Sequence, residues 1–139
     1  MKILYLVADR GITLSRVGGA NTKIQETIKA FRALGHEVVP LIVRDIAVER
    51  TGFDTKCVRT WHPRKGPIVK TAAIAKSIAW NWRAFNLIKS KAAKFTPDLI
   101  YERSSYLGIV GVWLKRILKC PLVLEWIGPL SKDCLLYTS

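Results

Sequence analysis

Three polar segments of this sequence each follow a short apolar run, and their residue types suit binding of an anionic ligand. The first begins with Asp9 and Arg10 and ends with Gly18 and Gly19. The others are Tyr101-Glu102-Arg103-Ser104-Ser105 and Glu125-Trp126-Ile127-Gly128-Pro129. In open α/β sheets, ligands bind beyond the carboxyl ends of the strands. If the apolar runs are parallel strands, the three segments belong to one cleft.

The glycine pair in the first segment has two interpretations. Gly18 and Gly19 stand just before a helical pattern, where free N–H groups attract anionic oxygens such as those of a diphosphate. The segment carries neither the dinucleotide fingerprint nor a Gly-Lys-Ser/Thr phosphate loop. A turn with tolerant glycines accounts for the spacing equally well.

The second and third segments also leave alternatives open. Glu102, Arg103 and Ser104 end a buried strand, where charged groups require a partner or a ligand. The alternative is an ion pair of Glu102 with Arg103 or Arg10, with a serine capping the next helix. Glu125 and Trp126 stand where an acceptor hydroxyl could be bound. An ion pair between Glu125 and Arg103 is the alternative there.

The elements that must position these segments alternate along the chain. Continuous apolar runs predict strands that are buried on both faces, and helical spacing with a glycine stop predicts the first helix. The predicted elements are a strand from Lys2 to Ala8, a helix from Ala20 to Leu34 that stops at Gly35, a strand from Val38 to Val43, a polar connection from Arg44 to Asp54, and a short strand from Cys57 to Trp61.

The second half continues the same pattern after the helix-breaking segment from His62 to Pro67. The predicted elements are a long helix from Ile68 to Phe95, a strand from Asp98 to Arg103, a helix from Ser105 to Leu118, and a strand from Leu122 to Glu125. This order predicts an α/β fold with a Rossmann-like, doubly wound, mostly parallel sheet. On the long helix, one apolar face comprises Ile74, Ile78, Phe85, Ile88, Ala92 and Phe95.

The charge of the chain is strongly positive and concentrated. The net charge is +13, and between Asp54 and Asp98 there are ten basic residues and no acidic one. Such a block attracts lipid headgroups, nucleic acid or a phosphorylated substrate, unless it is merely a solvated face. A helical wheel of the long helix predicts a membrane-surface set made of Lys76, Trp80, Arg83, Leu87, Lys91 and Lys94. The alternative is that Trp80 and Leu87 pack on a neighbouring helix or on another domain.

Other features of the sequence bear on the compartment and on metal binding. Cys57, Cys120 and Cys134 lack paired spacing, which argues against disulfides and a zinc site and fits a reducing cytosol. The apolar run after Lys2 ends too early for a secretory signal, and no stretch is long enough to span a membrane. We expect a cytoplasmic protein, peripheral on the inner face of the membrane, with no metal and no cofactor.

The last six residues, 134–139, suggest a boundary in the sequence. They can be encoded by TGT CTC TTA TAC ACA TCT, which looks like a transposase adaptor used in sequencing libraries. We expect natural sequence to stop near Lys132 or Asp133. The predicted organisation is an incomplete domain over 1–130 and an adaptor-derived tail over 134–139.

Several of these motifs together resemble glycosyltransferase family 4 enzymes. The opening Met-Lys-Ile-Leu-Tyr-Leu-Val, the Gly18-Gly19 pair and Ala33-Leu34-Gly35-His36-Glu37-Val38 look like the start of that family. So do Pro97-Asp98-Leu99-Ile100-Tyr101-Glu102-Arg103-Ser104, Pro121-Leu122-Val123-Leu124-Glu125 and Gly128-Pro129-Leu130. The likeness spans nearly all of residues 1–130.

The resemblance implies the N-terminal half of a two-domain GT-B fold. It implies metal-independent transfer, with retention, from a nucleotide sugar to a glycan or lipid-linked acceptor, in cell-envelope or exopolysaccharide synthesis. The acceptor would meet Asp9, Arg10, Glu102, Arg103, Ser104, Glu125 and Trp126, and the donor diphosphate would meet Gly18 and Gly19. The nucleotide-binding C-terminal domain is absent from this sequence, so the piece alone should be inactive.

The sequence departs from the family at one place that matters for catalysis. Many members carry a His after the strand that ends here at Glu125, and related sequences carry an Asn. This chain has Trp126-Ile127-Gly128 instead, so no residue is assigned a catalytic role.

Two other classes of function compete with this interpretation. One is a non-enzymatic Rossmann-like domain that binds a small anionic ligand. The other is a basic nucleic-acid-binding module, which needs aromatic side chains on an open surface. Most aromatic residues fall at core spacing, and we therefore expect no nucleic acid partner.

Overall fold

The computed structural model describes residues 1–14, 19–51, 67–105 and 107–126. They form four strands and four helices. In chain order these are β1 (Lys2–Val7), α1 (Gly19–Ala33), β2 (Glu37–Ile42), α2 (Val43–Thr51), α3 (Pro67–Phe95), β3 (Leu99–Arg103), α4 (Val110–Leu118) and β4 (Leu122–Glu125). The predicted strand from Cys57 to Trp61 and the breaker before α3 lie outside the described residues, except for Pro67.

The strands form one sheet in the order β2-β1-β3-β4, and every described strand pair is parallel. β1 is central, and its residues from Ile3 to Val7 are almost wholly buried. This burial explains the unbroken apolar run, since a central parallel strand is covered on both faces. The α/β class and the parallel sheet predicted from the sequence are confirmed.

Helices cover both faces of the sheet, as in a doubly wound Rossmann-like fold. On one face, Ile24 and Ile28 of α1 pack against alternate β1 residues, including Ile3 and Tyr5. On the other face, the interleaved Leu4 and Leu6 belong to a core shared with α3 and α4, whose buried members include Ala84, Phe85, Ile88, Val110 and Leu114. The two-residue period of the strand therefore assigns its side chains to two cores.

Helix α2 corrects the predicted polar connection from Arg44 to Asp54, of which it occupies the first eight residues. Val43 and Ile46 pack into the core beside α3, and Arg44 is buried as well. Asp45 lies in the first turn, where a carboxylate is favoured by the helix dipole. The charged residues of this segment gave no sign of a helix, because its apolar residues are buried only by α3, which is distant in sequence.

Helix α4 begins at Val110, five residues after the predicted start at Ser105. Before it, the Gly108 N–H donates to the Ser105 carbonyl at 3.0 Å, and Leu107 has a left-handed φ of 56°. A residue in that conformation cannot continue a right-handed helix. The segment from Ser105 to Ile109 is therefore a turn, apart from Tyr106, which lies outside the described residues.

Part of the predicted apolar face of α3 is also wrong. Phe85, Ile88 and Ala92 are buried as expected, but Ile74 and Ile78 are 42% and 54% exposed. Trp80 already contacts the carbonyl of Ala8, the residue after β1. Ile74 and Ile78 therefore lie outside the core that buries Phe85, Ile88 and Ala92.

Candidate functional site at the carboxyl edge of the sheet

The ends of β1, β3 and β4 lie side by side at one edge of the sheet. Val7 pairs with Arg103, and Arg103 pairs with Glu125. The structure thus brings together the carboxyl ends of β1, β3 and β4, as the sequence predicted for parallel strands.

Glu125 is the centre of the charged groups at this edge. Its Oε2 accepts a 3.0 Å hydrogen bond from the Tyr5 hydroxyl, and its Oε1 lies 2.9 Å from Lys23 Nζ. Arg103 Nη1 lies 3.7 Å from the same oxygen, so the ion pair that the sequence left open as the alternative for Glu125 is present. Two cations face one carboxylate, so the cluster keeps a net positive charge.

Tyr5 and Lys23 were missed by sequence reasoning. A tyrosine within a buried strand usually has a partner for its hydroxyl, and this was the available signal for Tyr5. Burial, reinforced by the adjacent Glu125 carboxylate, raises the pKa of Tyr5 above its ordinary value. The hydroxyl therefore stays protonated and acts as a hydrogen-bond donor. The exposed Lys23 had no comparable signal, because its role depends on where α1 crosses the sheet.

Glu102 lies on the opposite face of β3 and does not form the ion pair with Arg103 or Arg10 that the sequence left open as an alternative. It is 2% exposed, and burial raises the pKa of its carboxyl to about 7, partly offset by a hydrogen bond from the Gly111 backbone. Gly111 lies in the first turn of α4, whose N-cap Ile109 offers no side-chain cap. Glu102 therefore serves this helix end in place of the predicted serine cap.

Gly111 is required by this packing. A Cβ at Gly111 would collide with the Glu102 carboxylate and would stand 3.1 Å from Cδ1 of Leu122. The first turn of α4 thus approaches β3 as closely as it does only because Gly111 has no side chain.

Side chains of α3 and α2 contact the loop after β1 and fix its position. The Trp80 indole N–H donates to the Ala8 carbonyl at 2.7 Å, and the Arg10 guanidinium lies 5.6 Å from the centre of the Trp80 ring. Arg10 also donates to the carbonyl of Lys76, and Arg44 donates to the carbonyl of Arg10 at 2.9 Å. Arg10 is thereby fixed against α3 and is not part of the Glu125 cluster.

Further along the same loop, the contacts lead to the start of α1. Asp9 accepts the Gly11 N–H at 2.6 Å, and Asp45 accepts the Thr13 hydroxyl and the Leu14 N–H. The Asn21 amide donates to the Thr13 carbonyl at 2.6 Å, which ties the loop to the first turn of α1.

Only one of the two predicted donor-loop glycines is within the described residues. Gly19 is the first residue of α1, and a Cβ added there would meet nothing within 4 Å. A side chain at this position would therefore not be blocked by the described residues. Gly18 lies outside the described residues.

Asn81 holds the loop before α4 and was not predicted. Its amide donates to the Leu107 carbonyl at 2.9 Å and accepts the Ile109 N–H at 3.2 Å. Trp80 and Asn81 are adjacent on α3, and each supports a different loop of the site. The sequence pattern of α3 gave no indication of this role.

Several buried polar atoms at the ends of β3 and β4 have no hydrogen-bond partner. Within the described residues, the buried side-chain atoms without a hydrogen-bond partner are Glu102 Oε1, Arg103 Nε and Nη1, Ser104 Oγ, and Glu125 Oε1. For Arg103 Nη1 and Glu125 Oε1, the ion pairs exist but do not have hydrogen-bond geometry. All of these atoms belong to the ends of β3 and β4. Unpaired buried polar groups are rare in proteins, and each of them calls for a partner such as water, an ion or a ligand.

The predicted membrane-surface set is divided by the structure. Lys76, Arg83, Lys91 and Lys94 are exposed as expected. Trp80 and Leu87 were expected to be exposed and instead pack against the core. The cause is tertiary, because this side of α3 faces β1 and its loop. Trp126, at the end of β4, is 73% exposed.

Comparison with known families identifies the domain. Residues 18–136 match the family model of the glycosyl transferase 4-like domain. The chain belongs to this family. No curated protein and no solved structure matches it. The family resemblance inferred from the sequence is confirmed, and with it a role in glycosyl transfer, which requires a sugar donor and an acceptor. None of the described helices is long and apolar enough to cross a membrane.

Proposed function

We propose that this glycosyl transferase 4-like domain is the acceptor-binding, N-terminal part of a retaining, metal-independent glycosyltransferase. The enzyme moves a sugar from a nucleotide sugar to a glycan or lipid-linked acceptor in cell-envelope or exopolysaccharide synthesis. It works on the cytoplasmic side of the membrane and needs no organic cofactor. A second, nucleotide-binding domain completes the cleft.

The observation that carries this proposal is the group of unpaired buried polar atoms at the ends of β3 and β4. Those of Arg103, Ser104 and Glu125 supply donors and acceptors for the hydroxyl groups of a sugar, whereas Glu102 serves the start of α4. Arg103 has unused N–H groups, and Glu125 has an oxygen that only ion pairs engage. An acceptor bound there would replace its hydrogen bonds to water by hydrogen bonds to donors and acceptors that are already positioned by the fold.

The donor diphosphate is assigned to the start of α1. Gly19 is the first residue of α1, a Cβ added there would meet nothing within 4 Å, and Gly18 precedes it in the sequence. Helix N-termini favour anionic oxygens. In the reaction, the bond from the anomeric carbon to the diphosphate oxygen breaks and a bond to the acceptor oxygen forms. The products are a nucleoside diphosphate, the glycoside and the proton of the acceptor hydroxyl.

The first experiment is a long-read sequence of the locus past the codon for Lys132. Continuation into a second α/β domain supports the proposal and the adaptor origin of residues 134–139. A natural stop codon soon after residue 130 contradicts it and favours a non-enzymatic domain that binds an anionic ligand.

The second experiment tests the product of the complete reading frame. It is incubated with a panel of nucleotide sugars and a membrane extract as the acceptor source, with and without a chelator. We expect release of nucleoside diphosphate that the chelator does not change, and a product with the anomeric configuration of the donor. Inversion, or loss of activity with the chelator, contradicts the assigned mechanism.

The 139-residue chain by itself should transfer no sugar, because the proposed nucleotide-binding domain supplies the other half of the cleft. The same assay on this chain checks the expectation, with the complete protein as the positive control. Transfer by the short chain above the rate without protein would show that the missing domain is not needed.

A further inference from the structure

One face of β3 and β4 carries charged side chains at the strand ends and apolar ones just before them. In the parallel register Arg103 pairs with Glu125, and Tyr101 pairs with Val123. Residues two apart on a strand share a face, so these four side chains lie together. Val123 is 44% exposed and Tyr101 is half-buried, so a ligand can reach the apolar part. With Lys23 of α1, which contacts Glu125, the four residues form what we call the Arg103 face.

Arg103 is the least satisfied donor of this face. Its side chain is only 9% exposed, and its Nε and Nη1 have no hydrogen-bond partner. Glu125 Oε1 lies 3.7 Å from Nη1, which is an ion pair without a hydrogen bond. A guanidinium offers N–H donors and no acceptor, so only a group that accepts hydrogen bonds can satisfy it. A bound oxyanion would therefore offset the cost of burying this charged donor unpaired.

The charges of the Arg103 face call for one further negative charge. Arg103 and Lys23 are cations, and among the described residues Glu125 is the carboxylate that pairs with them. Two cations and one carboxylate leave a single positive charge. A phosphate monoester brings about 1.5 to 2 negative charges at pH 7, which would place an excess beside Glu125. A carboxylate balances the face, and a guanidinium binds it through two parallel hydrogen bonds.

Lys23 is the cation that can adapt to such a ligand. Its side chain is 57% exposed, and its Nζ lies 2.9 Å from Glu125 Oε1. Ion pairs of exposed lysines are weak, so the ammonium changes partners at little cost. An anion held by Arg103 therefore lies within the range of a cation that already reaches the neighbouring carboxylate.

The apolar part of the face suits the ring of a sugar. The Tyr101 ring stacks on Tyr5 with centroids 5.3 Å apart, and it meets the Phe31 ring edge-on at 5.2 Å. These contacts fix the position of Tyr101 beside Val123. A fixed aromatic and aliphatic surface next to a few polar groups is the usual composition of a small-ligand site.

We propose that the Arg103 face binds an acceptor sugar that carries one carboxylate, as a uronic acid does. Arg103 and Lys23 bind the carboxylate, Tyr101 and Val123 pack against the sugar ring, and Glu125 Oε1 accepts a hydrogen bond from a hydroxyl. The inference rests on the proposed function, in which the acceptor binds at this edge of the sheet. It narrows the acceptor to acidic sugars.

The test compares sugars that differ at a single carbon. Methyl glucuronide carries the carboxylate, methyl glucuronamide carries a neutral amide in its place, and methyl glucoside 6-phosphate carries the doubly charged group. Each is titrated into the 139-residue chain by isothermal titration calorimetry, together with the galacto isomers. We expect the uronide of one configuration to bind at least about tenfold more tightly than its amide, with a preference that weakens as salt rises. Equal binding of uronide and amide, no binding of either uronide, or tighter binding of the phosphate overturns the proposal.

Variants assign the preference to the two cations. Arg103→Gln should make the uronide and its amide bind equally, since the charged fork is lost. Lys23→Met changes an exposed position and should reduce the preference about threefold. Lys29→Met is the matched control, because Lys29 is an exposed lysine of the same helix that pairs with Glu26, and it should leave the preference unchanged. Circular dichroism shows which variants are folded, and Lys23→Met carries the test if Arg103→Gln is not. An undiminished preference in either folded variant overturns the proposal.

The binding assay separates this inference from the proposed function. If the complete protein releases nucleoside diphosphate from a nucleotide sugar while the short chain does not distinguish uronide from amide, only the inference fails. If the complete protein consumes no nucleotide sugar, the proposed function fails. The preference for a carboxylate is then still measured by calorimetry, because that measurement requires no transfer.

Discussion

The loop after β1 and the ends of β3 and β4 lie at the same edge of the sheet, yet they differ in whether their buried polar groups have hydrogen-bond partners. In the loop, residues 8–14, side chains from three helices satisfy the polar groups through Trp80, Arg44, Asp45 and Asn21. At the strand ends, Glu102, Arg103, Ser104 and Glu125 keep unpaired buried atoms.

The difference indicates that the loop after β1 supports the site, whereas the ends of β3 and β4 offer a surface for a ligand. A loop with satisfied hydrogen bonds holds one conformation, which a helix start needs if it is to present its N–H groups to a donor. Unpaired buried groups cost folding free energy, and they become favourable only when a ligand satisfies them. Substitutions should therefore damage stability in the loop and activity at the strand ends.

The largest effect should be on transfer, at Arg103 in the complete enzyme. Arg103→Lys keeps the charge but removes the fork of donors, so we expect the rate of transfer to fall at least about 100-fold. Steady-state kinetics measure this fall, and thermal unfolding should show little change. Lys29→Arg, in the exposed pair with Glu26, is the control. Full activity of Arg103→Lys would remove Arg103 from the site.

The next effect should be on stability, at Asp45. Asp45→Ala leaves the Thr13 hydroxyl and the Leu14 N–H without their acceptor, and we expect a loss of about 2 kcal/mol in the free energy of unfolding. Denaturant unfolding of the 139-residue chain measures it. Glu26→Ala, which breaks an exposed ion pair, should cost less than about 0.5 kcal/mol. Equal costs would mean that the loop is not held through Asp45.

At the strand ends, Glu102→Gln should stabilise the protein in a pH-dependent way. Burial raises the pKa of Glu102 from 4.5 to about 7, so the folded state binds a proton more tightly than the unfolded state. The contribution of Glu102 to native stability therefore falls as pH rises from 4.5 to about 7, and it levels off above that range. A neutral Gln escapes this cost, with a gain of about 1–3 kcal/mol near pH 8.

The measurement is thermal unfolding of both proteins between about pH 5 and pH 8. The advantage of Glu102→Gln should shrink toward the acidic end, where the native carboxyl is protonated. An advantage that does not change with pH would show that Glu102 is ionised in the folded protein over the whole range.

The smallest effect should be at Trp80. Trp80→Phe keeps much of the ring packing but loses the hydrogen bond to Ala8, with an expected cost of about 1 kcal/mol. Trp82→Phe is the matched control, since Trp82 is 62% exposed and should change stability little. A larger loss for Trp82 would reverse the assignment of the two faces of α3.

Much of the framework was predictable because local patterns determine it. The apolar runs of β1 and β3 and the glycine stop at Gly35, which has a φ of 81°, appear where the sequence placed them. The meeting of the ends of β1, β3 and β4 was predictable as well, since parallel strands bring their carboxyl ends to one edge. Tyr5, Lys23, Asp45 and Asn81 were not, because each acts on a residue distant in the chain.

The sequence by itself determined the α/β order and the family, and it left the pair of Arg103 and Glu125 as one of two alternatives. Only the tertiary structure decided which tryptophan of α3 faces the core. Trp80 and Trp82 stand on different sides of a helix whose sides are both rich in small and basic residues. The position of β1 and its loop buries Trp80 and leaves Trp82 outside. The same packing turned residues 43–51 into a helix and left the polar groups at the ends of β3 and β4 unpaired. Burial and pairing depend on neighbours that only the folded chain brings together.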